Sequence, residues 1–266
     1  MRLLYSTSMG GVWPQLSLRF IPVWQRNFRV WRKIMVPSIL ANFGEPILYL
    51  MAFGYGLGAL VGSVGSLPYM VFLASGILCS SAMFSASFEA MYSAYTRMSE
   101  QKTWHAMLGA PLTIDDIVLG EIIWAASKAL MGTLAIFVVA GVLGLFASWQ
   151  ALWAIPVIAL ASFSFAACAM IFTALAKSYD FFIYYFTLLV TPMMLFSGVF
   201  FPLDALPAAV VQLAYLLPLA HAVELVRPLV TGTMPEQVWV SLSVIAGYGL
   251  LGLMLSVYLL RRRLLA

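Results

Sequence analysis

The chain has 266 residues, of which 63% are hydrophobic and 9% are charged, and its mean hydropathy is +0.98. Soluble domains carry about 25% charged residues, so this composition excludes an ordinary soluble enzyme and defines an integral membrane protein. The formal charge of +4 is laid out as a topology signal, with no basic and aromatic stripe of the kind that binds nucleic acid.

Residues 1–34 read as a cytoplasmic N-terminus that ends in an amphipathic interfacial helix. Between Pro22 and Lys33, Val23, Trp24, Phe28 and Trp31 fall on one side of a helix, and Gln25, Arg26, Arg29, Arg32 and Lys33 on the other. A basic face opposite a tryptophan-bearing face suits a helix lying in the bilayer interface. Trp24, Arg26, Arg29 and Trp31 are its expected anchors, and it serves either as a topology anchor or as a lever to a cytoplasmic partner. No cleavable leader is expected, because an apolar stretch with a small-residue cleavage site is missing before Arg19.

Residues 35–266 predict an all-α transmembrane domain of six spans: Val36–Leu60, Leu67–Ala90, Ile122–Phe146, Leu152–Leu175, Phe181–Phe201 and Val238–Leu260. Basic residues fall before the first span (Arg2, Arg19, Arg26, Arg29, Arg32, Lys33), after the second (Arg97, Lys102), after the fourth (Lys177) and after the sixth (Arg261, Arg262, Arg263). The opposite connectors hold only Arg227. Both termini are therefore expected on the cytoplasmic side.

Within the first span, an exposed Glu45 carboxylate would cost about 2.5–3.5 kcal/mol, so it has to face protein or water. It reads equally as a pathway residue and as a structural hydrogen-bond partner. The glycines at 54, 58 and 62 suggest close helix packing; the GxGxxA run they belong to has no βαβ unit around it and is no dinucleotide site. Phe84, Phe88, Tyr92 and Tyr95 form a helical stripe in the second span. Phe181, Phe182, Tyr184, Tyr185 and Phe186 crowd the fifth, as packing, interface belt or sugar-stacking surface.

The connector from Tyr95 to Glu121 predicts a short helix over Ser99–Leu108, stopped by Gly109 and Pro111. Its Trp104 is expected to be exposed, anchored in lipid or filling a socket on a partner. Thr113 should cap the next helix, with Asp115 and Asp116 in its first turn. Lys128, inside the third span, should snorkel to the cytoplasmic interface.

The stretch Phe196–Leu229 is cut by Pro202, Pro207, Pro218 and Pro228 and cannot be one helix. A piece such as Ala205–Leu217 rises only about 20 Å against a hydrocarbon core of about 30 Å, so residues 202–230 read as an outward-facing re-entrant segment. His221, Glu224 and Arg227 share one flank there, and a Glu224–Arg227 pair is expected.

No GxxxxGK[ST], HExxH or GxSxG motif occurs, and Cys79 and Cys168 lack metal-ligand spacing. No metal site is expected, and ATP cannot be bound through a phosphate loop of this chain.

The basic amphipathic N-terminus, the six-span order, the run GAPLTIDDIVLGEIIWAASK, and SGVFFPLDALP followed by LPLAHAVELVRPL together resemble the ABC-2 type exporter permeases. The appearance is closest to the NodJ-like lipo-oligosaccharide permeases, over nearly the whole chain. That resemblance implies a homodimer working with two copies of a separate ATP-binding subunit, which would hold ATP and Mg. No cofactor is implied in this chain. Glu100, Lys102, Trp104 and His105 would couple to the ATPase; Glu45, Tyr49, Phe53, Phe88, Tyr184 and Phe196 would line the pathway. Phe200, Pro202, His221, Glu224 and Arg227 would form the outer gate. The implied cargo is a lipo-oligosaccharide, glycolipid or polysaccharide leaving across the bacterial inner membrane. The same scaffold would also suit drug or antibiotic efflux. Readings from other classes are a proton-coupled transporter using Glu45 and a non-transporting assembly subunit.

Overall fold

Backbone polar groups in lipid have to be satisfied within their own segment, which selects helices for long apolar runs. The computed structural model describes residues 13–265, without the side chains of Ile39, Ala41, Asn42, Phe43 and Glu45. Arg2 and the Glu45 carboxylate, both singled out by the sequence, lie outside the described part. The helices are α1 (Phe20–Arg32), α2 (Met35–Met51), α3 (Tyr69–Glu100), α4 (Thr103–Leu108), α5 (Ile114–Val142), α6 (Trp149–Leu175), α7 (Phe181–Phe196), α8 (Ala208–Ala214), α9 (Pro218–Thr231) and α10 (Val238–Leu265). A two-residue hairpin, Ser63–Val64 against Leu67–Pro68, joins α2 to α3.

Among the described residues four helices, α3, α5, α6 and α10, are long and apolar enough to cross a membrane. The pair α8 and α9, bent by 89° at the break before Pro218, makes a fifth if counted as one span. The segments expected as spans one and five are helical, but their apolar helices, Pro46–Val61 and Phe181–Phe196, are shorter than the other four. For the latter the cause is local: Gly198, at φ 76°, turns the chain just after α7.

The core is built around α6, which packs against α3, α5, α9 and α10. Small residues set the separation. A Cβ added to Gly252 of α10 would lie 2.8 Å from the backbone of Ala167 and Cys168 on α6, and Ser164 Oγ donates to the Ile245 carbonyl at 2.8 Å. Of the first-span glycines, Gly54 faces the Met70 side chain and Gly58 the Tyr69 ring. Gly62 packs against nothing; at φ 69° it ends the helical run before the hairpin.

α1 is helical as its periodicity predicts, and part of its apolar face meets protein. It docks on α5, where a Cβ at Gly120 would meet Val23 Cβ at 2.7 Å. Trp24 donates to Ser127 Oγ at 3.1 Å, and the Trp124 ring sits 6.0–6.4 Å from Trp24, Phe28 and Trp31. The Trp124 ring offers contact area, while the indole donors find hydroxyl acceptors, Trp24 at Ser127 of α5 and Trp31 at Ser38 of α2, the latter at 2.9 Å. Arg29 and Arg32 stay exposed on the other side.

Thr113 caps α5 as expected: its hydroxyl accepts from the Asp116 amide while the Asp116 carboxylate accepts from the Thr113 amide at 2.9 Å. Close by, Arg261 near the end of α10 pairs with Asp115, and Arg263 donates to the Thr173 and Ala174 carbonyls in the last turn of α6. α1, α4, the start of α5 and the ends of α6 and α10 thus share one basic end of the molecule.

Gly252→Val should overpack the α6–α10 contact and destabilise the protein by about 1–3 kcal/mol, read as a lower unfolding midpoint in detergent. Gly247→Ala, where an added Cβ meets nothing within 4 Å, should leave the midpoint no lower and raise it slightly, because Ala is the better helix former by about 0.5–1 kcal/mol.

Candidate functional site

Near the basic end two carboxylates are buried between helices. Glu89 on α3 is 3% exposed and Glu121 on α5 is 0% exposed. Charges that deep persist only when donors surround them. Arg97, two turns further along α3, reaches both: its Nη2 lies 3.0 Å from Glu89 Oε1 and 2.6 Å from Glu121 Oε2, and its Nε donates to both Glu121 oxygens at 3.1 Å. Lys128 Nζ donates to Glu89 Oε2 at 2.7 Å. Ser93 Oγ and Trp124 Nε1 complete the Glu89 shell at 2.8 Å each. Trp104 Nε1 donates to Glu121 Oε1 at 3.1 Å. Two acids and two bases balance, and every carboxylate oxygen has a donor. Arg26 of α1 stands nearby, its guanidinium held below its ordinary pKa by burial, with Glu121 pulling the other way.

Two sequence expectations change here. Trp104 is not exposed: it is fully buried, because Glu121 offers its indole N–H an acceptor inside this chain. Lys128, read from the sequence against the interface, pairs with the buried Glu89. Glu100, Lys102 and His105 are among the exposed residues around α4, with Gln101, Ala106, Gly109 and Ala110. Lys102, at φ 51°, makes the left-handed turn that separates α3 from α4. Glu89 and Glu121 carry no role in the sequence, and Arg97 reads there only as a topology charge, because the second span is drawn to end at Ala90. Opposite charges at i+8 (Glu89, Arg97) and i+7 (Glu121, Lys128) were the available signal, since both spacings return to one helix face.

The backbone is wide at the same place. π-type turns occupy Glu89–Ser93 and Thr96–Glu100 in α3, Ala52–Leu57 beyond α2, and Phe186–Val190 in α7. Such turns mark functional sites more often than chance. Among the described residues α5, α6 and α10 contain none.

The aromatic pathway candidates fall into separate groups. Tyr49 stacks on Phe53 at 5.8 Å, and Phe53 meets Phe200 edge-on at 5.7 Å. Phe88 is 52% exposed and stacks on Tyr92 at 4.6 Å. Tyr184, 60% exposed, borders an open cavity of about 350 Å³ with Lys177, Asp180 and Phe181. Phe196 is exposed at the end of α7.

At the far end the expected Glu224–Arg227 pair does not form. Glu224 turns to α10, accepting from Ser241 Oγ at 3.2 Å, and lies 3.7 Å from His221 Nδ1. His221 also bridges to the Tyr215 carbonyl at 2.8 Å. Arg227 turns instead to α3 and to the turn after α7, where Ser75 and backbone carbonyls accept from it. Pro202 adopts an extended conformation and opens the short turn Leu203–Ala205.

Taken together, four helices long and apolar enough to cross a membrane, with a bent apolar helix pair at one end and a buried ionic node at the other, are the body of a multi-pass membrane protein. The family model for ABC-2 type transporters matches residues 19–230. The chain belongs to that family, whose members are transport permease subunits. It is 47% identical to nodulation protein J of Sinorhizobium fredii (strain NBRC 101917 / NGR234) over 258 residues, 97% of this chain and 98% of that one. Nodulation protein J of Rhizobium leguminosarum bv. viciae is 46% identical over 253 residues, 95% of this chain and 97% of its own. The inner membrane transport permease YadH of Escherichia coli (strain K12) is 22% identical over 220 residues, 83% and 81% of the two chains.

Removing one member of a buried ion pair strands its partner. Lys128→Met should therefore destabilise the protein by about 3–5 kcal/mol in detergent unfolding, and adding Glu89→Gln should recover part of the loss. Strictly additive losses would contradict the pairing.

Proposed function

We propose that this chain is the membrane subunit of an ATP-driven exporter in a bacterial inner membrane. It crosses the membrane with both termini cytoplasmic and pairs with a second copy and two ATP-binding subunits. The observation that carries this reading is the distribution of π turns. They lie in the helices or helical extensions that bear Phe53, Phe88 and Tyr184, while α5, α10 and α6 beyond its first turn keep a regular α-helical ladder. A regular half anchors; a half with weaker, wider turns adapts to cargo. Cargo passes between the two copies along Glu45, Tyr49, Phe53, Phe88, Tyr184 and Phe196, and leaves past the outer gate of Phe200, Pro202, His221, Glu224 and Arg227. Membership in the ABC-2 family favours ATP on a partner subunit over a proton at Glu45 as the energy source.

Energy enters at α4. Glu100, Lys102 and His105 form the outer, partner-facing surface, and Trp104 is the root that carries a push on α4 to Glu121 and Arg97. The interfacial helix α1, seated on α5 through Trp24 and Trp31, moves with that node. The cargo class, a lipo-oligosaccharide, glycolipid or polysaccharide, follows the resemblance to the NodJ-like permeases, and the exposed Phe88 and Tyr184 rings suit stacking on sugars.

Co-expressed with its ATP-binding subunit and reconstituted in vesicles, the complex should hydrolyse ATP faster when a lipo-oligosaccharide is supplied. Trp104→Ala should cut that stimulation by about tenfold while leaving ATP binding unchanged. Transport driven by a proton gradient without an associated ATPase would sink the exporter reading; stimulation by hydrophobic drugs but not by glycolipid would sink the cargo class alone.

A further inference from the structure

The turn at residues 197–201 is held from two sides. On α3, Gly76 is the surface it rests on: a Cβ there would lie 2.6 Å from the Val199 carbonyl oxygen and 2.8 Å from Val199 Cα, so only glycine lets the turn seat this closely. On α9, Arg227 Nη2 donates to the Gly198 carbonyl at 2.6 Å. The same guanidinium donates from Nε to Ser75 Oγ at 3.0 Å and from Nη2 to the Phe72 carbonyl at 3.4 Å. Its carbon lies 3.7 Å above the centre of the Phe72 ring. Tyr69 adds a bond from its hydroxyl to the Phe200 carbonyl at 3.2 Å. One charge thus ties the bent segment, α3 and the turn together.

The described ion pairs do not include Arg227. Its bonds to the turn and to α3 are charge-assisted but run to neutral acceptors, which makes them strong and exchangeable for other acceptors when the turn leaves. The turn itself carries an opposing cost. Ser197 Oγ is fully buried, and no hydrogen-bond partner is described for it; an unsatisfied buried hydroxyl disfavours the state that buries it. We infer that Arg227 is a positioning residue that latches the turn at 197–201 shut, with the stranded Ser197 hydroxyl pressing the turn toward release. The inference rests on reading that turn as part of the outer gate, and it assigns Arg227 a task distinct from lining the pathway. Movement of α9 withdraws the guanidinium from Gly198, and the turn lifts from Gly76.

The test uses the full-length chain in native membrane vesicles, with the free cysteines removed by Cys79→Ala and Cys168→Ala and a reporter thiol introduced by Phe201→Cys. A membrane-impermeant maleimide supplied from the outer side reads how often the turn opens. Arg227→Gln should speed labelling by about tenfold or more, Arg227→Lys should fall between it and the parent, and Ser197→Ala should slow labelling. Movement in opposite directions separates a latch from general loosening. Equal rates from the outer side across the parent, Arg227→Lys and Ser197→Ala would overturn the latch and leave the gate reading intact. Labelling only from the cytoplasmic side would overturn the outer-gate reading, and the latch with it.

Discussion

A carboxylate buried inside a helical membrane body has to be met by donors on every oxygen, and the basic end of this protein is arranged around doing so for Glu89 and Glu121. Arg97 bridges the two acids, Lys128 neutralises the first, and two indoles close the remaining positions. Those donors come from α3, α4 and α5. Trp124 also supplies the ring on which α1 docks. Four helices are therefore fixed relative to one another by one ionic node. The strength of that arrangement is conditional: the full set is tolerated, while a set missing one member leaves a buried charge uncompensated.

The rest of the membrane body follows a different rule. α6 and α10 approach through Gly252 and the Ala167 backbone, and dispersion with backbone-directed hydrogen bonds holds them. In α3 and α7, and beyond α2, the helical ladder is broken by wide turns whose freed carbonyls need outside partners; Thr173 on α6 supplies one, donating to Ala90 at 2.7 Å. That contrast separates helices with an unbroken α ladder from helices interrupted by wide turns. The ionic node lies where the interrupted α3 meets the short helix at the basic end, and a chain of contacts runs from Trp104 of α4 through Glu121 to Arg97 of α3. The latch at Arg227 lies at the other end of the same α3, near its start.

Much of this was legible in the chain. The N-cap at Thr113, the amphipathic pattern of α1 and the breaks at Pro202, Pro207 and Pro218 depend on neighbours in sequence, and each takes the expected local form; Pro228, expected as a fourth break, instead sits inside α9 without ending it. The family resemblance was carried by motifs at 109–128 and 197–229 and agrees with the ABC-2 match. What failed depended on distant partners. Trp104 looked exposed because its own helix is short and polar, whereas its acceptor is Glu121 on another helix. Glu224 and Arg227 share a flank, yet Ser241 and Gly198 lie nearer to them than they do to each other. Lys128 was read against the bilayer rather than against Glu89. A span count from hydropathy also merged lengths that Gly198 cuts short.

The central claim is that α4 is rooted in the membrane body through Trp104 and the buried acids. Hydrogen exchange of the full-length protein in lipid nanodiscs, comparing the parent with Trp104→Phe, measures that rooting directly, because phenylalanine keeps a ring and loses the donor to Glu121. Exchange should quicken together in Thr103–Leu108 and in the wide turns Glu89–Ser93 and Thr96–Glu100. Quickening confined to Thr103–Leu108, or none anywhere, would show that the short helix is not mechanically joined to α3 and would contradict the account.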